Sequence, residues 1–318
     1  MEELIDVSVV VPLYNEEGNV NELYRELHSV LHDQEFSYEI LFVDDGSTDK
    51  TAEIVHGICE RDPNVTFVVF RRNFGQTAAM SAGFDYTRGR IVVTMDGDLQ
   101  NDPADIPKLL DYISQGYDVV AGWRYKRRDS FLNRRLPSMI ANKVISTITG
   151  VHLHDYGCSL KAFKKEVIDN INLYGEMHRF IPAIASAMGT SIVEVKVNHR
   201  PRVHGSSKYG ISRTFRVILD LITVKFLLSY SNRPIHIFGL IGMGSFGIGT
   251  LTSLVLILQR QIYGKPLADR PLFLLAILLV FLGVQFIIFG LISELQIRTY
   301  HETQNKPIYF VREVFRKK

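Results

Sequence analysis

The chain has 318 residues, enough for one large domain with an accessory segment or for two modest domains. Charged residues make up 22% of it and the formal net charge is only +2, so no global field points to nucleic acid. Its two cysteines, Cys59 and Cys158, lie far apart without metal-ligand spacing, which excludes a disulfide framework and a Cys-based zinc site and suits a reducing compartment.

The first residues, Met1 to Asp6, are acidic and contain no signal-peptide core, so the first domain is expected not to be secreted. Val7–Leu13 is a short β-branched run and reads as a strand, closed by the polar Asn15-Glu16-Glu17-Gly18. Apolar positions at Val20, Leu23, Leu27, Val30 and Leu31 then repeat at helical spacing. Strand Tyr38–Val43 ends in Asp44-Asp45-Gly46-Ser47, and a helix over Thr51–Glu60 leads to strand Val65–Phe70. Helix Thr77–Thr87 and strand Arg90–Met95 complete the alternation. Strand, polar loop and helix in this order predict an α/β fold, a mainly parallel sheet with right-handed crossovers covered on both faces. Ligands in such sheets bind beyond the carboxyl ends of the strands, and Asn15-Glu16, Asp44-Asp45 and Asp96-Gly97-Asp98 all fall there.

Arg124 to Arg135 is strongly basic, and Leu136, Ile140, Val144 and Ile148 predict a helix after it, with Pro137 in the first turn. From Ile211 to Leu228 an apolar helical pattern is interrupted by Arg213, Arg216 and Lys225, the pattern of an interfacial membrane helix or of a core-facing helix. Ile235–Leu258 (24 residues) and Leu272–Ile292 (21 residues) contain no Asp, Glu, Lys or Arg, and each can cross a hydrocarbon core about 30 Å thick. Seven basic residues between Arg200 and Arg233, and six after Ile292, place the N-terminal domain and both termini in the cytoplasm by the positive-inside rule. Gly242-x-Gly244 and Gly247-x-Gly249 allow close helix packing, within one chain or between copies in a homo-oligomer.

If strand geometry persists through Asp96-Gly97-Asp98, its carboxylates share a face and suit Mg²⁺ or Mn²⁺, which keep positions open for substrate phosphates. A solvated turn is the plainer reading of that triplet. Asp44 to Asp49 reads either as a turn with a helix cap or as a reader of base and ribose. The scattered His152, His154, His199 and His204 are read as structural or surface residues, and Cys158 as a small packed one.

Taken together, Val10-Val-Pro-Leu-Tyr-Asn-Glu-Glu17, Val43-Asp-Asp-Gly-Ser-Thr-Asp49 and Met95-Asp-Gly-Asp-Leu-Gln100 resemble family 2 glycosyltransferases of the GT-A fold. Gly122-Trp-Arg124, Asp155 to Phe163 and His204 to Gly210 extend the likeness to the dolichyl-phosphate mannose synthase branch, especially the bacterial GtrB-type polyisoprenyl-phosphate glucosyltransferases. The resemblance implies a nucleotide-sugar donor, a polyisoprenyl phosphate acceptor and a bacterial inner-membrane location among membrane lipids, with UDP-glucose as the donor ahead of GDP-mannose and UDP-galactose. It implies that Pro12, Tyr14 and Glu16 line the nucleoside pocket with Asp44 or Asp45, and that Asp96, Asp98 and Gln100 hold the metal and diphosphate. Arg124, Arg134 and Ser138 would meet the acceptor phosphate, Arg202 or Arg200 with Lys208 would close on the donor, and Asp155 would orient the sugar or acceptor. On this basis the chain divides into a GT-A domain at 1–210, an interfacial region at 211–233, two transmembrane helices within 234–296 and a basic tail at 297–318. Two competing readings are a processive polysaccharide synthase, whose Gln-x-x-Arg-Trp signature is absent around the only tryptophan, Trp123, and a non-catalytic membrane scaffold.

Overall fold

The computed structural model describes residues 5–125, 142, 145–147, 149–171, 173, 177–201, 235–264, 266, 267, 270–303 and 309–317. The expected interfacial helix and most of the basic region after Arg124 lie outside these residues.

Eight strands form one mixed sheet in the order β7-β5-β6-β4-β1-β2-β3-β8. β1 (Val7–Leu13), β2 (Tyr38–Asp44), β3 (Val65–Phe70) and β4 (Ile91–Thr94) are mutually parallel. β5 (Val119–Arg124) and β7 (Ile192–Val197) pair in parallel, while β6 (Lys161–Lys164) runs antiparallel to both β4 and β5. Nearly every residue of β1, β2 and β3 is buried, because helices or connecting segments cover both sheet faces.

α1 (Val20–His32) presents Val20, Leu23, Leu27 and Leu31 to the sheet at three- and four-residue spacing, and all four are buried. Each such side chain contributes about 1.5–3 kcal/mol by leaving water. α2 (Thr51–Cys59) covers β3, α3 (Gln76–Tyr86) packs on β1 and β2, and α4 (Ile106–Ser114) buries Ile106, Leu109, Leu110 and Ile113.

The last strand, β8 (Val311–Arg316), departs from the sequence expectation of a simple basic tail. It adds antiparallel to β3, with Phe67 opposite Phe315 and a register shift between Val69 and Phe70. Its exposed residues are largely charged, as suits a strand that must not recruit another chain.

The helices α5 (Ile235–Tyr263) and α6 (Pro271–Thr303) form a second compact unit. Within them, Phe238–Tyr263 and Pro271–Ser293 are long and apolar enough to cross a membrane, and few of their side chains are buried. Gly242 and Gly249 face α6 so closely that a Cβ would lie 2.8 Å from the Gly283 carbonyl oxygen or 2.6 Å from that of Ala276. Glycine here lets the two backbones touch, as small residues do in membrane helix pairs. Gly244 and Gly247, the other half of the pattern, have open space where a Cβ would stand.

Candidate active site

A cavity of about 190 Å³ opens at the carboxyl ends of the parallel strands. Pro12, Leu13, Tyr14 and Glu16 line it from the end of β1, Asp45 from the end of β2, Asn73 and Gly75 from the β3–α3 connection, and Gln76 and Ala79 from the start of α3. Asp96, Gly97 and Asp98 close the remaining side. The cleft thus gathers three of the polar strand ends singled out from the sequence.

Its walls are laced by side chains that accept backbone N–H groups. The Asn15 amide donates to Ser47 Oγ at 2.9 Å and the Glu16 amide to Thr51 Oγ1 at 2.8 Å. Asn15 itself sits at φ 53, a left-handed position Asn tolerates, and its Oδ1 accepts from the Thr48 amide. Asp49 accepts from the Thr51 amide and hydroxyl, whereas the N-cap of α2 is Lys50, which makes no side-chain cap. Asn19 Nδ2 donates to Glu16 Oε2 at 2.6 Å and fixes that carboxylate at the cleft.

Asp44 and Asp45 separate here. Asp44 turns back to accept from the amide and hydroxyl of Ser47 and does not line the cavity. Asp45 lines it and accepts from the Phe74 amide at 2.6 Å and the Gly75 amide at 2.9 Å. Burial pushes the Asp45 carboxyl up to about 6, while those two amide donors and the neighbouring Asp44 act more weakly. Each of its oxygens keeps a lone pair for a ligand.

Asp96 and Asp98 share the cavity for a reason other than strand alternation. β4 ends at Thr94, and the chain loops out with Leu99 at φ 59. Gly97 allows the approach, since a Cβ would lie 2.5 Å from Leu13 Cδ2 and 3.3 Å from the Pro12 carbonyl oxygen. Asp96 Oδ1 accepts from Gln76 Nε2 at 2.7 Å, and Asp98 Oδ1 accepts from the Gln100 amide at 3.2 Å. Two hard carboxylates at an open cleft fit a divalent cation that completes its shell with phosphate oxygens. Among the described residues, no group of three or more His, Cys, Asp or Glu could hold a metal unaided.

Beyond the cavity lining, Arg124 at the end of β5 grips Asp155, with Nε 2.7 Å from Oδ2 and Nη2 2.9 Å from Oδ1. Burial works against the Arg124 charge, but the bonds and charge of Asp155, with help from Asp96, outweigh it and the net shift is upward. Glu194 on β7 accepts from the amides of both His154 and Asp155, at 2.8 and 2.9 Å, and from His154 Nδ1 at 2.6 Å. The His154 ring stacks on Trp123 at 4.2 Å. Lys161 on β6 is buried behind this group, and its ammonium donates to the Cys158 carbonyl oxygen. Cys158 is fully buried, and burial raises its thiol to about 11, in keeping with the packed residue expected from the sequence.

Of the other residues singled out, Arg200 does not line the cleft. Its guanidinium is held by Glu26 (2.7 Å) and Asp102 (2.8 Å), and its amide donates to the Gln100 carbonyl oxygen. Gln100 is likewise outside the cavity lining. Arg134, Ser138, Arg202 and Lys208 lie outside the described residues. The sequence reading missed Gln76, Asn73, Gly75 and Glu194. Arg71-Arg-Asn-Phe-Gly-Gln76 is a polar, Gly-containing loop at the carboxyl end of a parallel strand, the same signal that found the others.

The Glycosyl transferase family 2 model matches residues 8–171, the segment that builds the cleft and its basic neighbour. Over 98% of its length the chain is 44% identical to a dodecaprenyl-phosphate galacturonate synthase of Rhizobium johnstonii, covering 93% of that protein. The chain belongs to glycosyltransferase family 2. A second family member, an undecaprenyl-phosphate 4-deoxy-4-formamido-L-arabinose transferase of Pseudomonas fluorescens, is 40% identical over 98% of this chain and 90% of its own. Among solved structures, glucosyl-3-phosphoglycerate synthase from Mycobacterium tuberculosis, in complex with Mn²⁺, UDP and glucosyl-3-phosphoglycerate, superposes with a TM-score of 0.55 at 16% identity. The likeness covers 70% of this chain and 80% of that one, and it establishes the GT-A fold of this family 2 enzyme.

Proposed function

We propose that this glycosyltransferase moves one sugar from a UDP-sugar to a polyisoprenyl phosphate at the cytoplasmic face of a bacterial membrane. The observation that carries the reading is the placement of Asp45, Asp96 and Asp98 in one cleft, near a half-buried Arg124. Full-length likeness to two polyprenyl-phosphate sugar transferases, and the two long apolar helices, support the acceptor and the membrane location.

In this reading Pro12, Tyr14, Glu16 and Asp45 receive the nucleoside, and Asp96 and Asp98 hold Mg²⁺ or Mn²⁺ with the donor diphosphate, Gln100 serving through its amide to Asp98. When bound, the metal supplies neutralisation of the charge that builds on the leaving diphosphate. Arg124, with Arg134 and Ser138 on the following segment, attracts the acceptor phosphate. Arg202 and Lys208 serve the donor, whereas Arg200 is committed to Glu26 and Asp102. An acceptor phosphate oxygen forms the new bond to the anomeric carbon as the bond to UDP breaks, with inversion. The phosphate is already ionised near neutral pH, with a second pKa of about 6, so no protein base is needed. Asp155, locked to Arg124, orients rather than abstracts.

The donor we infer from the motifs is UDP-glucose. A uronic acid or a modified pentose is the second reading, favoured by the sugars in the names of the two relatives. Purified full-length enzyme, polyprenyl phosphate, Mg²⁺ or Mn²⁺ and a panel of labelled UDP-glucose, UDP-galacturonate, UDP-galactose and GDP-mannose decide it. Label in a chloroform-soluble, single-sugar lipid from one UDP-sugar is the expected result. Label in long polymer, or none from any donor, would overturn the proposal.

A further inference from the structure

The β3–α3 connection supplies a whole wall of the cleft, yet little in its own sequence fixes it. On the inner side it is pinned by Asp45, through the Phe74 and Gly75 amides. Gly46, at φ 69, permits this contact, since a Cβ there would lie 2.5 Å from the Arg72 carbonyl carbon and 2.7 Å from the Asn73 nitrogen. On the outer side it meets the chain that follows α6. The Arg71 amide donates to the Phe310 carbonyl oxygen at 3.1 Å, extending the β3–β8 ladder beyond the strand and into the loop. The buried Tyr309 ring stacks on Phe70 at 5.1 Å and 12°, just before the loop begins. Its hydroxyl donates to Asp85 Oδ2 at 2.7 Å, on the same helix α3 whose first residue, Gln76, holds Asp96. Tyr309 therefore ties the strand before the loop to the helix after it, and the Phe310 ring lies over Phe74 at 6.0 Å.

We propose that Tyr309 and the β8 segment are positioning elements of the donor site, holding the Arg71–Gly75 loop against Asp45 so that the nucleotide pocket is complete only when the chain beyond the second apolar helix has docked. This rests on reading the cleft as the nucleotide-sugar pocket. The tyrosine touches no substrate. It acts by removing freedom from the loop whose amides set the Asp45 carboxylate, so its loss falls on donor binding rather than on acceptor binding.

The test uses the full-length enzyme in detergent, with UDP titrated calorimetrically in Mn²⁺ and KM measured separately for donor and acceptor. Tyr309→Ala is expected to raise the UDP Kd and the donor KM about tenfold, with acceptor KM unchanged within about twofold. Tyr309→Phe keeps the stacked ring and loses only the bond to Asp85, which guards against simple misfolding, and about a threefold rise is expected. Wild-type UDP affinity in both tyrosine variants, or an equal rise of donor and acceptor KM, would overturn the proposal. Asp45→Asn separates the two kinds of failure. Lost UDP binding in Asp45→Asn with wild-type binding in Tyr309→Ala removes the role of β8 alone. Wild-type binding in both removes the assignment of the cleft, and this proposal with it.

Discussion

Asp155→Asn weighs the Arg124–Asp155 pair most directly. Asp155 is 1% exposed and accepts two N–H groups from one guanidinium. An asparagine can accept only one of them, and its NH₂ group faces the other donor. The guanidinium then stays in place without its nearest counter-charge, leaving the weaker influence of Asp96. Losing one charge-assisted bond costs about 1.5–3 kcal/mol, and breaking a buried pair costs about 3–5 kcal/mol in all. Arg124 keeps one bond and a side chain that is 16% exposed, so the low end, about 3 kcal/mol, applies. For a domain of this size each kcal/mol moves Tm by roughly 2–4 °C, giving a fall of about 6–12 °C. Trp123, the only tryptophan, stacks on His154 beside the pair, so its fluorescence reports the melting of this region. A Tm within about 2 °C of wild type would contradict this, because the pair would then contribute less than about 1 kcal/mol.

Gln76→Ala removes the donor that holds Asp96 Oδ1 and is expected to weaken Mn²⁺-dependent UDP binding about tenfold, read by calorimetry; unchanged metal dependence would make that bond idle. The Asp45 carboxyl, raised by burial to about 6, becomes neutral as pH falls through that value and then serves the Phe74 and Gly75 amides less well. UDP affinity should therefore drop between pH 7 and 5 in the wild type, and Asp45→Asn should bind UDP weakly at both pH values. The sign for stability is opposite: the stabilisation from this raised pKa is fully present below the ordinary value of 3.8 and is lost as pH rises through about 6. Gly283→Val would place a Cβ 2.6 Å from the Phe246 nitrogen and 2.7 Å from the Gly242 carbonyl oxygen, so α5 and α6 must part. A cost of about 1–3 kcal/mol and faster proteolysis of the hairpin are expected.

The sheet was legible where the signal is local. β1 and β3 occupy the expected residues, and α3 begins and ends one residue earlier than its pattern suggests. The cleft was legible because parallel strands carry their ligands at one end, which places Asp45, Asp96 and Asp98 together before any coordinates are known. What could not be read depends on long-range pairing. Nothing in Val-Arg-Glu-Val-Phe-Arg316 says that it pairs with β3, since an edge strand with only Val311 and Phe315 half-buried and the rest exposed resembles a solvated tail. Glu194 is distant in sequence from the amides of His154 and Asp155 that it accepts, and only the β5–β7 pairing brings it there. Arg200 was ambiguous with Arg202 in the sequence, and the ion pairs to Glu26 and Asp102 show where its charge is used.

The proposed reaction is attack by a lipid phosphate on the anomeric carbon, with departure of the whole nucleoside diphosphate. The direct measurement is the nucleotide released during transfer to polyprenyl phosphate, resolved by ion-exchange chromatography, alongside the mass of the lipid product. UDP released in equal amount to a lipid that has gained one sugar and no extra phosphate, both abolished in Asp98→Ala, is the expected result. Release of UMP with a diphosphate-linked lipid would contradict it, because the acceptor would then have attacked phosphorus instead of carbon.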